Sequence, residues 1–285
     1  MGIPPFCSSK SNRIKIFIMK KLSVLLLAGV GFVSSCTKVP ITGRNQLNLI
    51  PESTMQEMAL TEYKSFLSEN KTISSTTSKD AGMVQRVGNR IAKAVTTYMN
   101  QNGWGDQISG YKWEFNLVDS KEVNAWCMPG GKVVVYTGLL PITQNETALA
   151  CVMGHEIAHA IARHGNERMS QGLVAQGIQI AGAVALNKNP QAQNIFSQAV
   201  GIGGPLGLMA YSRQNELEAD HLGVIFMAMA GYNPQEAIPF WQRMASASGG
   251  NKPPEIVSTH PSDEKRIAKL QALMPEAMKY YKPQS

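Results

Sequence analysis

Two histidines one helical turn apart, with a glutamate directly after the first, are the residues of this chain best suited to chemistry: His155-Glu156-Ile157-Ala158-His159. Neutral imidazoles bind Zn²⁺ at roughly 2.0–2.1 Å, and a catalytic zinc site uses three protein ligands so that water can take the fourth position. Positions four apart on a helix share a face, so His155 and His159 can point at one ion. Glu156 sits where a carboxylate can reach that water without ligating the metal. The five-residue pattern arises by chance in roughly one chain in a hundred of this length, so it needs a third ligand to carry weight. Asn215-Glu216-Leu217-Glu218-Ala219-Asp220 offers one. Glu216 and Asp220 share a face, from which Glu218 points away. Glu216 can ligate while Asp220 accepts a hydrogen bond from a ligand imidazole and fixes its tautomer. One zinc ion per chain is the expected cofactor, and hydrolysis by metal-activated water the expected chemistry.

The elements that must position these groups are legible in outline. The histidines require a helix over 143–165, opened by a Thr143 cap with Glu146 reaching back, and closed by Gly165. The carboxylates require a second helix over 212–230, whose Ala219 and Gly223 allow close approach to the first. Further helices are expected over 53–68, 80–100, 168–186, 234–247 and 262–273, the second from the apolar stripe of Val84, Val87, Ile91 and Val95. Residues 112–118 alternate as a strand, and 122–128 and 132–137 flank Pro129-Gly130-Gly131 as a hairpin. The class is α+β, mostly helical, with a small antiparallel sheet beside the histidine helix and one domain over 53–285. The strand near Asn124–Met128 is the candidate template for an extended peptide. The apolar Gly172–Leu186 segment and the glycine-rich 200–208 read as an internal helix or a lid over the cleft rather than a membrane span.

The net charge of +7 does not indicate nucleic acid. Five basic residues lie in the first 35 positions, which hold no acidic ones, and the remainder nearly balances the 20 acidic residues. Lys20-Lys21, the apolar run to Val33 and Ser34-Ser35-Cys36 read as a lipoprotein signal peptide over 1–35, with Met19 a second candidate start. Cleavage before Cys36 and its acylation would hold the protein on a membrane surface. Residues 36–52, rich in Pro, Thr, Gly and Asn, read as a tether. The mature chain would then keep Cys127 and Cys151, free or bonded to one another.

On these motifs, together with Val39-Pro40-Ile41-Thr42-Gly43-Arg44, Asn124-Ala125 and Thr259-His260-Pro261, the sequence resembles the gluzincin metallopeptidases of the HtpX-like and CAAX-prenyl-protease-like type, nearest their periplasmic BepA-like lipoproteins. The resemblance implies a zincin-like metallopeptidase domain, with Glu156 and Asp220 catalytic and His155, His159 and Glu216 binding zinc. It also implies that His260 occupies the fourth position at rest or stabilises the oxyanion, against the plainer reading of an exposed histidine before a helix. The implied setting is the periplasmic side of a bacterial envelope, at the outer membrane. The implied substrates are misfolded or misassembled envelope proteins. The sequence stops at Ser285 without the tetratricopeptide-type tail of the BepA-like proteins. The competing function is a lipoprotein chaperone with structural zinc, against which Glu156 argues because a structural site needs no such carboxylate and favours cysteine. His164 and His221 are expected to be structural.

Overall fold

A computed structural model describes residues 36–176, 186, 188–200, 212–247 and 264–283. In chain order the elements are β1 (Cys36–Lys38), β2 (Asn45–Leu47), α1 (Glu52–Glu69), β3 (Thr72–Ile73), α2 (Lys79–Gln101), β4 (Glu114–Val118), β5 (Ala125–Met128) and β6 (Lys132–Tyr136). There follow α3 (Leu140–Thr143), α4 (Glu146–Ile161), α5 (His164–Ala175), α6 (Pro190–Val200), α7 (Arg213–Met229), α8 (Ala237–Ala247) and α9 (Glu264–Ala277). The fold is mostly helical around a small sheet ordered β3-β4-β6-β5, antiparallel except for the β4/β6 pair. Beside it, β1 and β2 form a separate antiparallel ribbon within the stretch expected as a tether.

Alternation along the strands divides the core into two layers, because successive side chains leave a strand on opposite faces. Phe115, Leu117, Cys127, Val133 and Val135 face a cluster with α2, α4, α7, α8 and α9. Trp126, Met128, Val134 and Tyr136 face a second cluster with α1, α5 and α6. With helices on both faces, all five residues of β6 are buried, including Lys132. The turn between β5 and β6 places Gly130 and Gly131 at φ 83° and 81°, a region open to glycine without steric cost.

The histidine helix departs from expectation at both ends. Its cap is Asn145, whose side chain accepts from the Ala148 amide, while Thr143 closes the short α3 and donates to the Leu140 carbonyl. It ends before Gly165: Arg163 takes a left-handed φ of 54°, and a new helix, α5, begins at His164. Helix α6 was not anticipated. The expected helix over 168–186 is described only to Ala175, and most of 200–208 lies outside the described residues.

Every side chain of α4 from Ala148 to Ile161 is buried. Its main neighbour is α7, and the two backbones touch. A Cβ on Gly154 would lie 2.8 Å from the Gly223 carbonyl oxygen, and one on Gly223 would lie 2.9 Å from the His155 nitrogen. Gly223→Val is therefore expected to force the helices apart and cost about 1–3 kcal/mol. Thermal unfolding checks this: a drop of several degrees in Tm is expected, and an unchanged Tm would show that the close approach is dispensable.

Candidate metal centre

The contact between α4 and α7 converges three ligand atoms. His155 Nε2 lies 3.1 Å from His159 Nε2 and 3.4 Å from Glu216 Oε2, and His159 Nε2 lies 3.5 Å from Glu216 Oε1. Atoms at the corners of a tetrahedron whose centre is roughly 2.0–2.1 Å away stand ~3.3 Å apart, so the spacing fits a zinc ion. All three residues are buried.

Hydrogen bonds set which nitrogen of each histidine faces inward. His155 Nδ1 lies 3.0 Å from Asp220 Oδ1, so it carries the proton and leaves the Nε2 lone pair toward the centre. His159 Nδ1 lies 2.9 Å from His164 Nδ1, and His164 Nε2 lies 3.0 Å from Glu218 Oε2. Burial, outweighing Glu218, keeps His164 below its ordinary value and neutral. Its one proton faces Glu218, its Nδ1 accepts from His159, and His159 Nε2 is left as a lone pair. Once His155 gives up its second proton, two lone pairs and a carboxylate converge, a set that a cation would satisfy. Burial opposes charging His155, but Asp220 and then Glu216 outweigh it and push the ring up to about 9. Metal binding at such a site displaces a proton.

Asp220 is itself supported. Burial would raise its pKa, yet the guanidinium of Arg266 holds it below the usual carboxylate range. Arg266 grips it through two bonds of 2.6 Å and stacks 3.4 Å from the centroid of Trp241. The ring of Trp241 meets His155 edge-on at 5.5 Å. Glu156 is buried beside this group. The helix that carries Glu156 packs against β5, where burial pushes the thiol of Cys127 well up. Cys127 and Cys151 are both buried free thiols.

The expected residues His155, His159, Glu216 and Asp220 thus meet. Cys36 begins β1, its backbone paired with Leu47, and His260 lies outside the described residues. His221 pairs with Glu276 at 2.9 Å and stays away from the centre. Sequence reasoning gave His164 a structural place without its bond to His159, and it missed Arg266 and Glu218. The last was read as pointing away from the ligand face; it does so, yet it is buried and backs His159. Its signal was present only as a third carboxylate on a helix that had no need of it.

Two helices, one carrying a histidine pair with an intervening glutamate and the other a carboxylate, make the arrangement of a metallopeptidase domain. The chain belongs to peptidase family M48, whose profile matches residues 78–274. It is similar to mitochondrial metalloendopeptidase OMA1 of Schizosaccharomyces pombe, at 32% identity over 251 residues, 87% of this chain and 69% of that protein. The human OMA1 metalloendopeptidase is 29% identical over 288 residues, 95% of this chain and 52% of that one. The β-barrel assembly-enhancing protease of Escherichia coli is 32% identical over 161 residues, 55% of this chain and 33% of its own. The chain spans about half the length of several of these relatives, 50% for the Saccharomyces cerevisiae protein.

These comparisons correct two expectations. A nearest kinship with BepA-like proteins is not supported, since the mitochondrial relatives match over far more of the chain. The placement in a bacterial envelope as a lipid-anchored protein is overturned by the same relatives, named as mitochondrial. A basic, acid-free leader is a composition that secretory signals share with transit peptides, so residue types alone do not separate the two. No helix among the described residues is long and apolar enough to cross a membrane.

Arg266→Met is expected to leave Asp220 a buried, uncompensated carboxylate and cost about 3–5 kcal/mol; denaturant unfolding of the two chains measures it. A second outcome concerns Glu52, which lines a small cavity with His159, Cys127 and Arg163. Burial, only partly offset by Arg163 at 3.3 Å, pushes Glu52 up to about 7. The folded state therefore holds this proton more tightly than the unfolded one, and stability falls as the pH rises from the ordinary glutamate value toward 7. Glu52→Gln should raise stability at pH 8 by on the order of 2 kcal/mol and far less at pH 4.5. Equal Tm shifts at both pH values would contradict this.

Proposed function

We propose that the chain is a zinc-dependent endopeptidase in which His155, His159 and Glu216 hold the ion, Glu156 is the general base and acid, and Asp220 orients His155. The observation that carries this is the convergence of two imidazole nitrogens, 3.1 Å apart, with the Glu216 carboxylate, one oxygen 3.4 Å from His155 and the other 3.5 Å from His159, with Glu156 next to the first ligand. Zinc held there would supply a Lewis acid for the scissile carbonyl and lower the pKa of a water. Glu156 takes the proton of the attacking water and passes it to the leaving amine, and no covalent intermediate with the protein is required. Burial strengthens each of these charge interactions by excluding solvent.

The substrate is a polypeptide. β5 ends the sheet among the described residues and packs against α4, the helix that carries Glu156. That favours an extended substrate adding along β5 by backbone pairing, with its scissile bond beside Glu156. We further infer a role in quality control of misfolded or misassembled proteins, supported by the name of the E. coli relative, a β-barrel assembly-enhancing protease.

Casein cleavage tests the activity. Glu156→Gln is expected to lower it by about 10²–10⁴-fold while zinc stays bound, and a chelator to abolish it in the wild type until zinc is restored. Full activity of Glu156→Gln, or indifference to the chelator, would remove the proposal. Proteins trapped in cells by Glu156→Gln would identify the physiological substrate.

A further inference from the structure

The ribbon of β1 and β2 reaches the candidate centre from behind. Between its strands the chain turns at Ile41 and Gly43, each at a φ of 68°, and brings Thr42 and Arg44 onto α5 and α7. Arg44 Nε donates to Glu218 Oε2 at 2.7 Å, and its two terminal nitrogens donate to Glu167 at 2.7 and 2.8 Å. Thr42 Oγ1 donates to the other oxygen of Glu218. Glu167 also accepts from Asn215, the residue before Glu216, at 3.0 Å. Farther along, the Leu49 amide donates to Ser170 at 2.9 Å, Asn166 donates to the Ile50 carbonyl at 2.8 Å, and Val39 and Ile50 are buried.

The planar guanidinium of Arg44 presents donors on two edges, one for each carboxylate. Glu167 on α5 and Glu218 on α7 are both nearly buried, with side chains 10% and 5% exposed, and would repel one another without a cation between them. Glu218 in turn is the acceptor that orients His164, and His164 the acceptor that orients His159. Partners of this kind, one bond removed from a ligand, fix ring orientation and tune metal affinity.

We propose that residues 37–50 are a strap belonging to the metal centre and that Arg44 is a positioning residue, acting through Glu218 and His164 on His159, so that retention of zinc depends on the strap. This rests on the ligand assignment made above. A displaced strap leaves all three ligands in the chain but loosens the shell that aligns them.

Zinc affinity by chelator competition and the visible spectrum of the cobalt(II) form test it on the full chain. Arg44→Ala is expected to weaken zinc binding about 10–100-fold and to change the cobalt spectrum, and Arg44→Lys to recover part of the loss. Arg86→Ala, which removes an exposed ion pair with Glu146 at 2.7 Å, should match the wild type. A folded Arg44→Ala with wild-type affinity and spectrum overturns the proposal. Should Arg44→Ala not fold, Thr42→Val decides: it removes one bond to Glu218, and weaker zinc binding supports the strap while wild-type binding overturns it. A wild type that binds no zinc would instead overturn the ligand assignment, a result distinct from any of the variants.

Discussion

Two glycines that let α4 and α7 touch are the constraint on which the site depends. With Gly154 against Gly223, the His155–His159 face and Glu216 come close enough for two imidazole nitrogens and one carboxylate to converge within 3.1–3.5 Å contacts. Such a cluster is electrostatically costly inside a protein, where the effective dielectric constant is far below that of water. Helix packing forces the groups together, and a cation held there would offset their repulsion and couple its own binding to folding.

Each histidine is backed by a relay that ends on an arginine. Behind His155 stand Asp220 and then Arg266, which closes the relay against the face of Trp241. Behind His159 stand His164, Glu218 and then Arg44. In both, the buried carboxylate is compensated by the arginine behind it and accepts from the imidazole in front of it. The two arginines come from opposite ends of the described chain, one from α9 and one from the N-terminal ribbon. The centre is thus completed by segments that carry no ligand.

The sheet contributes by being covered on both faces. β5 is packed between the layer that holds α4 and the α1/α5/α6 layer, and so lies alongside α4. A strand covered on both faces beside the helix that carries Glu156 is suited to the proposed mode, in which one peptide bond of an extended chain is held in register with the reacting groups.

The sequence by itself determined the local pieces. Periodicity and spacing placed the histidine helix, the carboxylate helix and the β5/β6 hairpin near their observed positions, because a helix face and a glycine turn are properties of a few neighbouring residues. It also paired Glu216 with the histidines, since few acidic residues stand at helical spacing beside small ones. Tertiary structure decided the rest. On one continuous helix His159 and His164 would point about 140° apart; the left-handed turn at Arg163 breaks the helix and brings them together. Neither Arg44 nor Arg266 could be given its partner from the sequence, because a carboxylate that neutralises an arginine from 174 or 46 residues away leaves no local pattern. Spacing along the chain reports which residues share a face, whereas charge compensation in a buried site depends on which faces meet.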